Sequence, residues 1–480
     1  MDAMDLDSGD EDQDTVSEDE DSYIADFLAE QQRLNNDVMA AGAAVVMMAA
    51  ATAMDEDSST EGTRGGSAPG KSANKKRDFK KAYEDLVDQY FSGPRSVYND
   101  VDFERRFMMP RSLFSEIYES MKKEELFAQK SCTVTKKLGI RPLVRLCACL
   151  RHISTGEPYD SLDDKYQMSE SELRRTFLPF CRLMKKNFGP RYLNRQPTDD
   201  ELQRILTINA ARGFPGLFAS WDCKHFSWSA CPRAWSGQFK GKESGNTIVL
   251  EAICCPDLYI WQHYFGDPGS LNDINILDKS TIVESFLRGD FRLRLPPHLH
   301  YKINDTVRDW LYFLVDGIYP DWSVFISTIA QAEPRTPEAL FAAFQEAMRK
   351  DIERAFGVLV KKFGILQRPI RVHSHEDICA ILDCCIIIHN MLVELKRETY
   401  VAQAYYERPE DFIAATNDLG DEDDLTKASL FGVDEETTED HPDSGALLAA
   451  KVDEDLKSTE EHNNLLHDLI QHINDRRPHG

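Results

Sequence analysis

Three acidic residues of the sequence are candidate ligands for a hard metal ion. Asp222 closes the apolar run 217–222 (LFASWD), Asp316 closes the run 311–316 (LYFLVD), and Glu353 lies in a charged, helix-like stretch. Mg²⁺ prefers oxygen ligands, and two such ions about 4 Å apart can activate a water or a 3′-hydroxyl for attack on a phosphodiester. These residue types therefore suit metal-dependent phosphodiester chemistry.

The spacing of these carboxylates is weak support when taken alone. An aspartate at the end of a strand is common, and a glutamate in a charged helix is usually solvated. Neighbouring carboxylates also raise one another's pKa, so that a bound cation is needed for all of them to ionise together. The elements that carry them must therefore bring them to one place.

The order of predicted elements after Gly216 is strand, strand, strand, helix, strand, helix. In chain order, the predicted elements are strands at 217–222, 247–255 and 258–265, a helix at 272–287, a strand at 311–316, and helices from Thr336 and at 378–395. This is the element order of an RNase H-like domain, in which the first and fourth strands are neighbours and the next helix packs across them. We expect an α/β fold with an RNase H-like mixed sheet flanked by helices.

The segment before the sheet is predicted to be helical and to contact DNA. Helical spacing covers 110–123 and 141–155, and capping boxes are predicted at 169–172 and 198–201. The helix that begins after Ser169 follows a short helical segment, which is typical of a helix-turn-helix. Its candidate DNA-binding residues are Arg174, Arg175 and Arg182. An ordinary solvated basic face is the alternative.

The net charge of −26 is concentrated in the two ends of the chain. Residues 1–70 contain 18 acidic and 2 basic residues and 401–480 contain 21 and 6, which leaves 43 and 48 for 71–400. A polyanionic partner is therefore confined to the middle of the chain. We expect four parts: a disordered acidic tail (1–76), a helical DNA-binding domain (77–213), the nuclease-like domain (214–398), and a mostly disordered acidic tail (399–480) with a short helix at 465–473.

The basic residues near Asp222 and the basic cluster at 71–81 favour a nuclear DNA-binding protein. The candidate phosphate contacts beside the first carboxylate are Lys224, Arg233, Lys240 and Lys242. A solvated hairpin is the alternative for these residues, and a solvated helix start is the alternative for the cluster. The eleven cysteines form no CxxC pair, which suits a reducing compartment. No uncharged apolar stretch with membrane-like flanks reaches about 18 residues, so no membrane partner is expected.

Several blocks resemble one transposase family, in family order over roughly 85–395. They are GFPGLFASWDCKHFSWSACPRAWSGQF (213–239), TIVLEAICCPDLYIW…FGDPGSLNDINILDKS (247–280), LVDGIYPDW (314–322), RKDIERAFGVLVKKFGIL (349–366) and CCIIIHNMLVE (384–394). Together they resemble the transposases of PIF/Harbinger DNA transposons, in the plant-transposon-protein branch. The resemblance implies a DDE nuclease with Asp222, Asp316 and Glu353 as its acidic residues. Asp273 also lies in a family block, as an accessory ligand or as the second carboxylate itself.

The resemblance implies Mg²⁺ or Mn²⁺ as cofactor, double-stranded DNA as partner, and a separate Myb/SANT-like companion protein. The leading hypothesis is a transposase that nicks transposon ends and joins the 3′-hydroxyl to target DNA, with a homo-oligomer left open. The first alternative is a domesticated, catalytically silent DNA-binding or regulatory protein. The second alternative is a protein–protein module that recruits partners through its acidic tails.

Overall fold

The computed structural model describes residues 75–130, 138–241, 245–397 and 452–476. Its contacts divide the described residues into a first unit (75–102 and 138) and a second unit (103–130, 139–241, 245–397 and 452–476). In the first unit, helix α1 (Phe79–Tyr90) begins at Asp78, whose carboxylate accepts a hydrogen bond from the Lys81 backbone N–H. The next helix, α2 (Asp100–Phe107), starts in the first unit and ends in the second.

Among the described residues, five α-helices lie wholly within the second unit before the sheet. They are α3 (Arg111–Met121), α4 (Pro142–Thr155), α5 (Asp163–Tyr166), α6 (Glu170–Tyr192) and α7 (Asp199–Ala211). The capping box predicted at the start of α7 is confirmed, because Thr198 and Glu201 each bond the other's backbone N–H. The box predicted for α6 is only half present. Ser169 accepts from the Glu172 N–H, but the Glu172 carboxylate pairs with Arg145 at 2.7 Å.

A mixed five-stranded sheet forms the centre of the second unit. The described strands are β1 (Leu217–Ser227), β2 (Thr247–Cys254), β3 (Ile260–Pro268), β4 (Tyr301–Ile303), β5 (Thr306–Arg308), β6 (Tyr312–Leu314) and β7 (Phe325–Ile326). The main sheet has the order β3-β2-β1-β6-β7, with β1 antiparallel to β2 and parallel to β6. The prediction of an α/β fold with a mixed sheet flanked by helices is therefore confirmed.

Burial explains which strands the sequence reveals. Every residue of β2 is buried, as in a strand covered on both faces, and so its apolar run is easy to recognise. The hairpin β4–β5 is polar and largely exposed on β5, so it gives no comparable pattern. Strand β1 was predicted to end at Asp222, which is wrong. It continues to Ser227 because its pairing with β2 extends that far.

In the described part of the chain, further helices follow β3 and β7 and flank the sheet. They are α8 (Asp273–Leu277), α9 (Thr281–Arg288), α10 (Pro337–Lys362), α11 (Gly364–Gln367), α12 (His375–Leu395) and α13 (Thr459–Asp475). The predicted helix 272–287 is two helices, because Ser280 interrupts it and caps α9 through its side chain. Helix α10 begins as predicted, with Thr336 as N-cap and Pro337 in its first turn.

Helix α12 is long and apolar because it lies in the core. Among the described residues it is the one helix with the length and composition to cross a membrane, and 83% of its most apolar window is buried inside the protein. Its side chains His389 and Asn390 are fully buried and bond backbone groups of the segment 258–260. Such a buried position is what a core helix shows.

Helix α13 packs against the sheet and α10. The sequence predicts a short helix at 465–473, and the structure extends it to Thr459–Asp475. Its residues Leu465, Leu469 and Ile473 are buried. Its His462 ring nitrogen Nδ1 lies 2.8 Å from the Phe325 carbonyl oxygen of β7, and so the helix covers the edge strand of the main sheet.

Candidate active site

The register of β1 and β6 brings Asp222 and Asp316 to neighbouring positions. Ser220 of β1 pairs with Leu314 of β6 in parallel, and each aspartate lies two residues beyond its strand's member of that pair. Residues two apart share one face of a strand, and neighbouring strands lie about 4.8 Å apart. Asp222 thus lies within β1, next to the point where the pairing with the parallel strand β6 ends. Asp316 lies just beyond the end of β6.

Glu353 of helix α10 is connected to Asp222 by an arginine that contacts both carboxylates. The helix packs across β1, where the Ser220 hydroxyl donates to the Met348 carbonyl oxygen at 3.3 Å. The Arg349 guanidinium lies 3.2 Å from Asp222 Oδ2 and 3.1 Å from Glu353 Oε1. Arg349 and Glu353 are four residues apart on one helix face. Both carboxylates therefore share one guanidinium.

The pKa of Asp222 responds to burial and to the charges of other acidic residues. Burial raises the pKa of Asp222 to about 6, and the nearby charges of Asp273 and Asp316 act in the same direction. The Cys223 backbone N–H, which donates to Asp222 Oδ1 at 2.8 Å, and the Arg349 guanidinium oppose this increase in pKa. Asp273, at the start of α8, is thus part of the same acidic cluster.

The four carboxylates have the chemistry of a divalent-cation site, but their arrangement is that of an ion-paired cluster. Carboxylate oxygens are hard donors, which are suited to Mg²⁺ or Mn²⁺. Within the described residues, however, no three His, Cys, Asp or Glu side chains are placed to hold one ion together. Arg349 lies between Asp222 and Glu353 instead. The donor set fits the metal, whereas the side-chain positions fit the guanidinium.

A buried carboxylate that sequence reasoning missed supports this cluster. Glu251 of β2 is fully buried and accepts from the Trp221 indole N–H at 3.0 Å and from the Ser280 hydroxyl at 2.5 Å. Trp221 precedes Asp222, and Ser280 caps α9, so Glu251 connects the strand and the helical segment that carry two of the acidic residues. A single glutamate inside the apolar run TIVLEAICC was the available signal.

The predicted phosphate contacts lie along β1 and its following loop. Lys224 is half-buried on β1, whereas Arg233 and Lys240 are exposed in the loop. Lys242 lies outside the described residues. The loop is anchored by Trp228, whose buried indole donates to the Val372 carbonyl oxygen at 2.8 Å. The loop that carries these exposed cations is therefore anchored to the protein. Contact between these cations and DNA stays a prediction.

The predicted DNA-binding residues of α6 are exposed and paired within the protein. Arg174 lies 3.5 Å from Glu170, Arg175 lies 3.5 Å from Glu172, and Arg182 pairs with Asp377 of α12. Exposed pairs of this kind contribute only about 0–1 kcal/mol. They are weak enough for a phosphate to replace the carboxylate, so these contacts leave the role of α6 in DNA binding as a prediction.

Comparison with known proteins relates part of this sequence to a transposon protein family. Residues 190–400, which include β1, β6, α10 and all four carboxylates, match the plant transposon protein family. Residues 83–122 match a family described as a domain of unknown function. The part of the chain that carries the acidic cluster is thus transposase-related.

A particular relative is the "Protein ALP1-like" of Arabidopsis thaliana. It is 21% identical over 308 residues, which cover 62% of this chain and 72% of the relative. No solved structure matches the chain. The relationship to transposases therefore comes from sequence, and the geometry of the site comes from the fold described above.

Proposed function

We propose that this chain is a PIF/Harbinger-type transposase whose RNase H-like domain cleaves DNA at transposon ends and joins the freed 3′-hydroxyl to target DNA. The observation that carries the proposal is the parallel register of β1 and β6, which brings Asp222 of β1 near Asp316, just beyond β6. In addition, Arg349 of α10 joins Asp222 to Glu353. Further support comes from the sheet order, in which β1 and β6, the first and fourth strands of the main sheet, are neighbours.

In this proposal the acidic residues would bind the metal and the basic residues would bind DNA. Asp222, Asp316 and Glu353, with Asp273 as accessory, would hold Mg²⁺ or Mn²⁺. The metal supplies activation of the attacking water or hydroxyl and stabilisation of the leaving oxygen. Lys224, Arg233 and Lys240 would position the phosphate backbone of double-stranded DNA over these carboxylates, and Arg174, Arg175 and Arg182 would bind DNA further away.

A second candidate is a domesticated protein that binds DNA without cleaving it. The observation in its favour is the Arg349 guanidinium, which neutralises two of the acidic residues without a metal. Nuclear localisation, a Myb/SANT-like companion and self-association belong to both candidates. Neither candidate requires the acidic ends of the chain to contact DNA.

Cleavage of a terminal-inverted-repeat duplex by the full chain in Mg²⁺ tests the proposal. Asp222→Asn removes one ligand charge, and we expect the cleavage rate to fall on the order of 10³-fold, about 4 kcal/mol of barrier. Asp278→Asn is the matched control, since Asp278 is an exposed aspartate between α8 and α9 and should leave the rate unchanged.

Equal cleavage rates for the wild type and Asp222→Asn would remove Asp222 from the mechanism. Binding of the duplex without turnover in either Mg²⁺ or Mn²⁺ would instead favour the second candidate. A gel that resolves nicked, cleaved and joined strands separates these outcomes.

A further inference from the structure

Arg349 is a cation built into the carboxylate cluster. Its side chain is 19% exposed, and its two terminal nitrogens reach different carboxylates, Asp222 at 3.2 Å and Glu353 at 3.1 Å. A guanidinium stays protonated in proteins and presents several donors in a planar fork. Its fork therefore spans the two acidic groups that come from different elements, β1 and α10.

The contacts of Arg349 use oxygen atoms that a divalent cation would need. Asp222 Oδ1 accepts from the Cys223 backbone N–H, and Asp222 Oδ2 accepts from the Arg349 guanidinium. Glu353 is half-exposed, and the oxygen that Arg349 contacts is Oε1. A cation held jointly by Asp222 and Glu353 would therefore compete with the guanidinium for Asp222 Oδ2.

We propose that Arg349 is an exchangeable internal counter-ion, which holds Asp222 and Glu353 together in the metal-free protein and must be displaced before a divalent cation can bind both. This inference rests on the proposed function for the identity of the metal ligands. It makes Arg349 a positioning residue that lowers the apparent affinity for the cation. It also accounts for four acidic residues of suitable chemistry although, in the part of the chain that the structure describes, no three ligands are placed around one ion.

The inference predicts that removing the guanidinium tightens metal binding. In Arg349→Gln the cation no longer displaces an ion-paired group, and it meets carboxylates that are less neutralised. We expect the Kd for Mn²⁺ to fall about tenfold, equal to about 1.4 kcal/mol. Arg349→Lys keeps the charge but lacks the fork that spans both carboxylates, and its Kd should lie between those of wild type and Arg349→Gln.

The test is a titration of the full chain with Mn²⁺ at pH 8, without DNA, read by the electron paramagnetic resonance signal of free Mn²⁺. Lys361→Gln is the matched control, because Lys361 is an exposed cation in the last turn of the same helix. Its Kd should equal that of the wild type. Asp222→Asn should lose the site, which shows that the bound Mn²⁺ is at the carboxylate cluster.

Two results would overturn the inference, and they differ from each other. If Arg349→Gln binds Mn²⁺ as weakly as the wild type or more weakly, while Asp222→Asn loses binding, Arg349 is no competitor but the metal site stands. If neither wild type nor Arg349→Gln binds Mn²⁺ in a manner that depends on Asp222, the metal site of the proposed function fails as well. Thermal melts of all variants identify any that do not fold.

Discussion

Glu251 is a buried residue whose hydrogen bonds stabilise the segments beside the acidic cluster. It is fully buried, and its carboxylate accepts from Trp221 and Ser280, which belong to the two segments that carry Asp222 and Asp273. Burial raises the pKa of Glu251 to about 7, and the charges of Asp267 and Asp273 act in the same direction. Glu251 is therefore a group that resists ionisation in the folded protein.

The raised pKa of Glu251 predicts a pH-dependent loss of stability. In the unfolded chain the side chain ionises near its ordinary pKa of 4.5, whereas in the folded protein it ionises at about 7. The folded state thus binds more protons between these values, so this group lowers the free energy of unfolding as pH rises from 4.5 to 7. The full effect, about 3 kcal/mol, is present above pH 7.

Glu251→Gln removes this titration and should change the pH profile. Relative to the wild type, the free energy of unfolding of the variant should rise across pH 4.5 to 7 by up to about 3 kcal/mol and then stay level. Urea unfolding at several pH values measures it, with the exposed Glu338→Gln as control. Parallel profiles for wild type and Glu251→Gln would show that Glu251 titrates normally.

At the scale of elements, a buried ion pair holds α10 against the end of α7. Arg212, just after α7, places its guanidinium 2.6 Å from Asp351 Oδ2, and both side chains are less than 5% exposed. Asp351 lies two residues before Glu353 and two after Arg349. This contact therefore sets the position of the helix turn that carries the two site residues.

Breaking this pair should cost more than breaking a surface pair. Arg212→Met leaves the Asp351 carboxylate with less compensation in a buried position, so we expect a loss of about 3–5 kcal/mol in the free energy of unfolding. The double variant Arg212→Met with Asp351→Leu should lose less than the single one, because the buried carboxylate is removed together with its buried partner. Arg354, which also lies 3.1 Å from Asp351 Oδ1, keeps contact with solvent because its side chain is 23% exposed. Urea unfolding measures both.

The matched control for this pair is Arg288→Met. Arg288 pairs with Glu284 at 3.0 Å on the surface, where both side chains are 56% exposed, so its loss should cost no more than about 1 kcal/mol. Similar losses for Arg212→Met and Arg288→Met would contradict the role assigned to the buried pair.

At the scale of the whole chain, the acidic C-terminal region contributes a structural helix. Besides its buried leucines, α13 places Asp468 2.5 Å from Arg308 of β5, and Ser323 donates to the carbonyl oxygen of Leu456. These contacts join the far end of the sequence to the edge of the sheet. Arg308 is thus a charge partner of Asp468 in this helix.

Leu469→Ala should therefore destabilise the sheet domain rather than only the helix. Leu469 is fully buried, and removal of its side chain should lower the free energy of unfolding by about 2–5 kcal/mol. Asn463→Ala, at an exposed position of the same helix, is the control. An unchanged urea midpoint for Leu469→Ala would mean that α13 makes no stable contact with the sheet.

The local features of this protein could be predicted from its amino-acid sequence. Strands with continuous apolar runs, the caps at Thr198 and Thr336, and the candidate carboxylates all follow from short-range patterns, because hydrogen bonding at a helix start and burial of a strand depend on nearby residues. The interruption at Ser280 and the exposed hairpin β4–β5 escaped prediction because their local patterns are ambiguous.

Long-range packing sets how these local features are arranged in space. Three features depend on pairs of residues far apart in sequence. They are the parallel register that aligns Asp222 with Asp316, the guanidinium of Arg349 between β1 and α10, and the buried contacts of Glu251 with Trp221 and Ser280. Docking of α13 on the sheet is likewise a long-range contact. Such contacts are set by the packing of whole elements, which no local pattern of residues specifies.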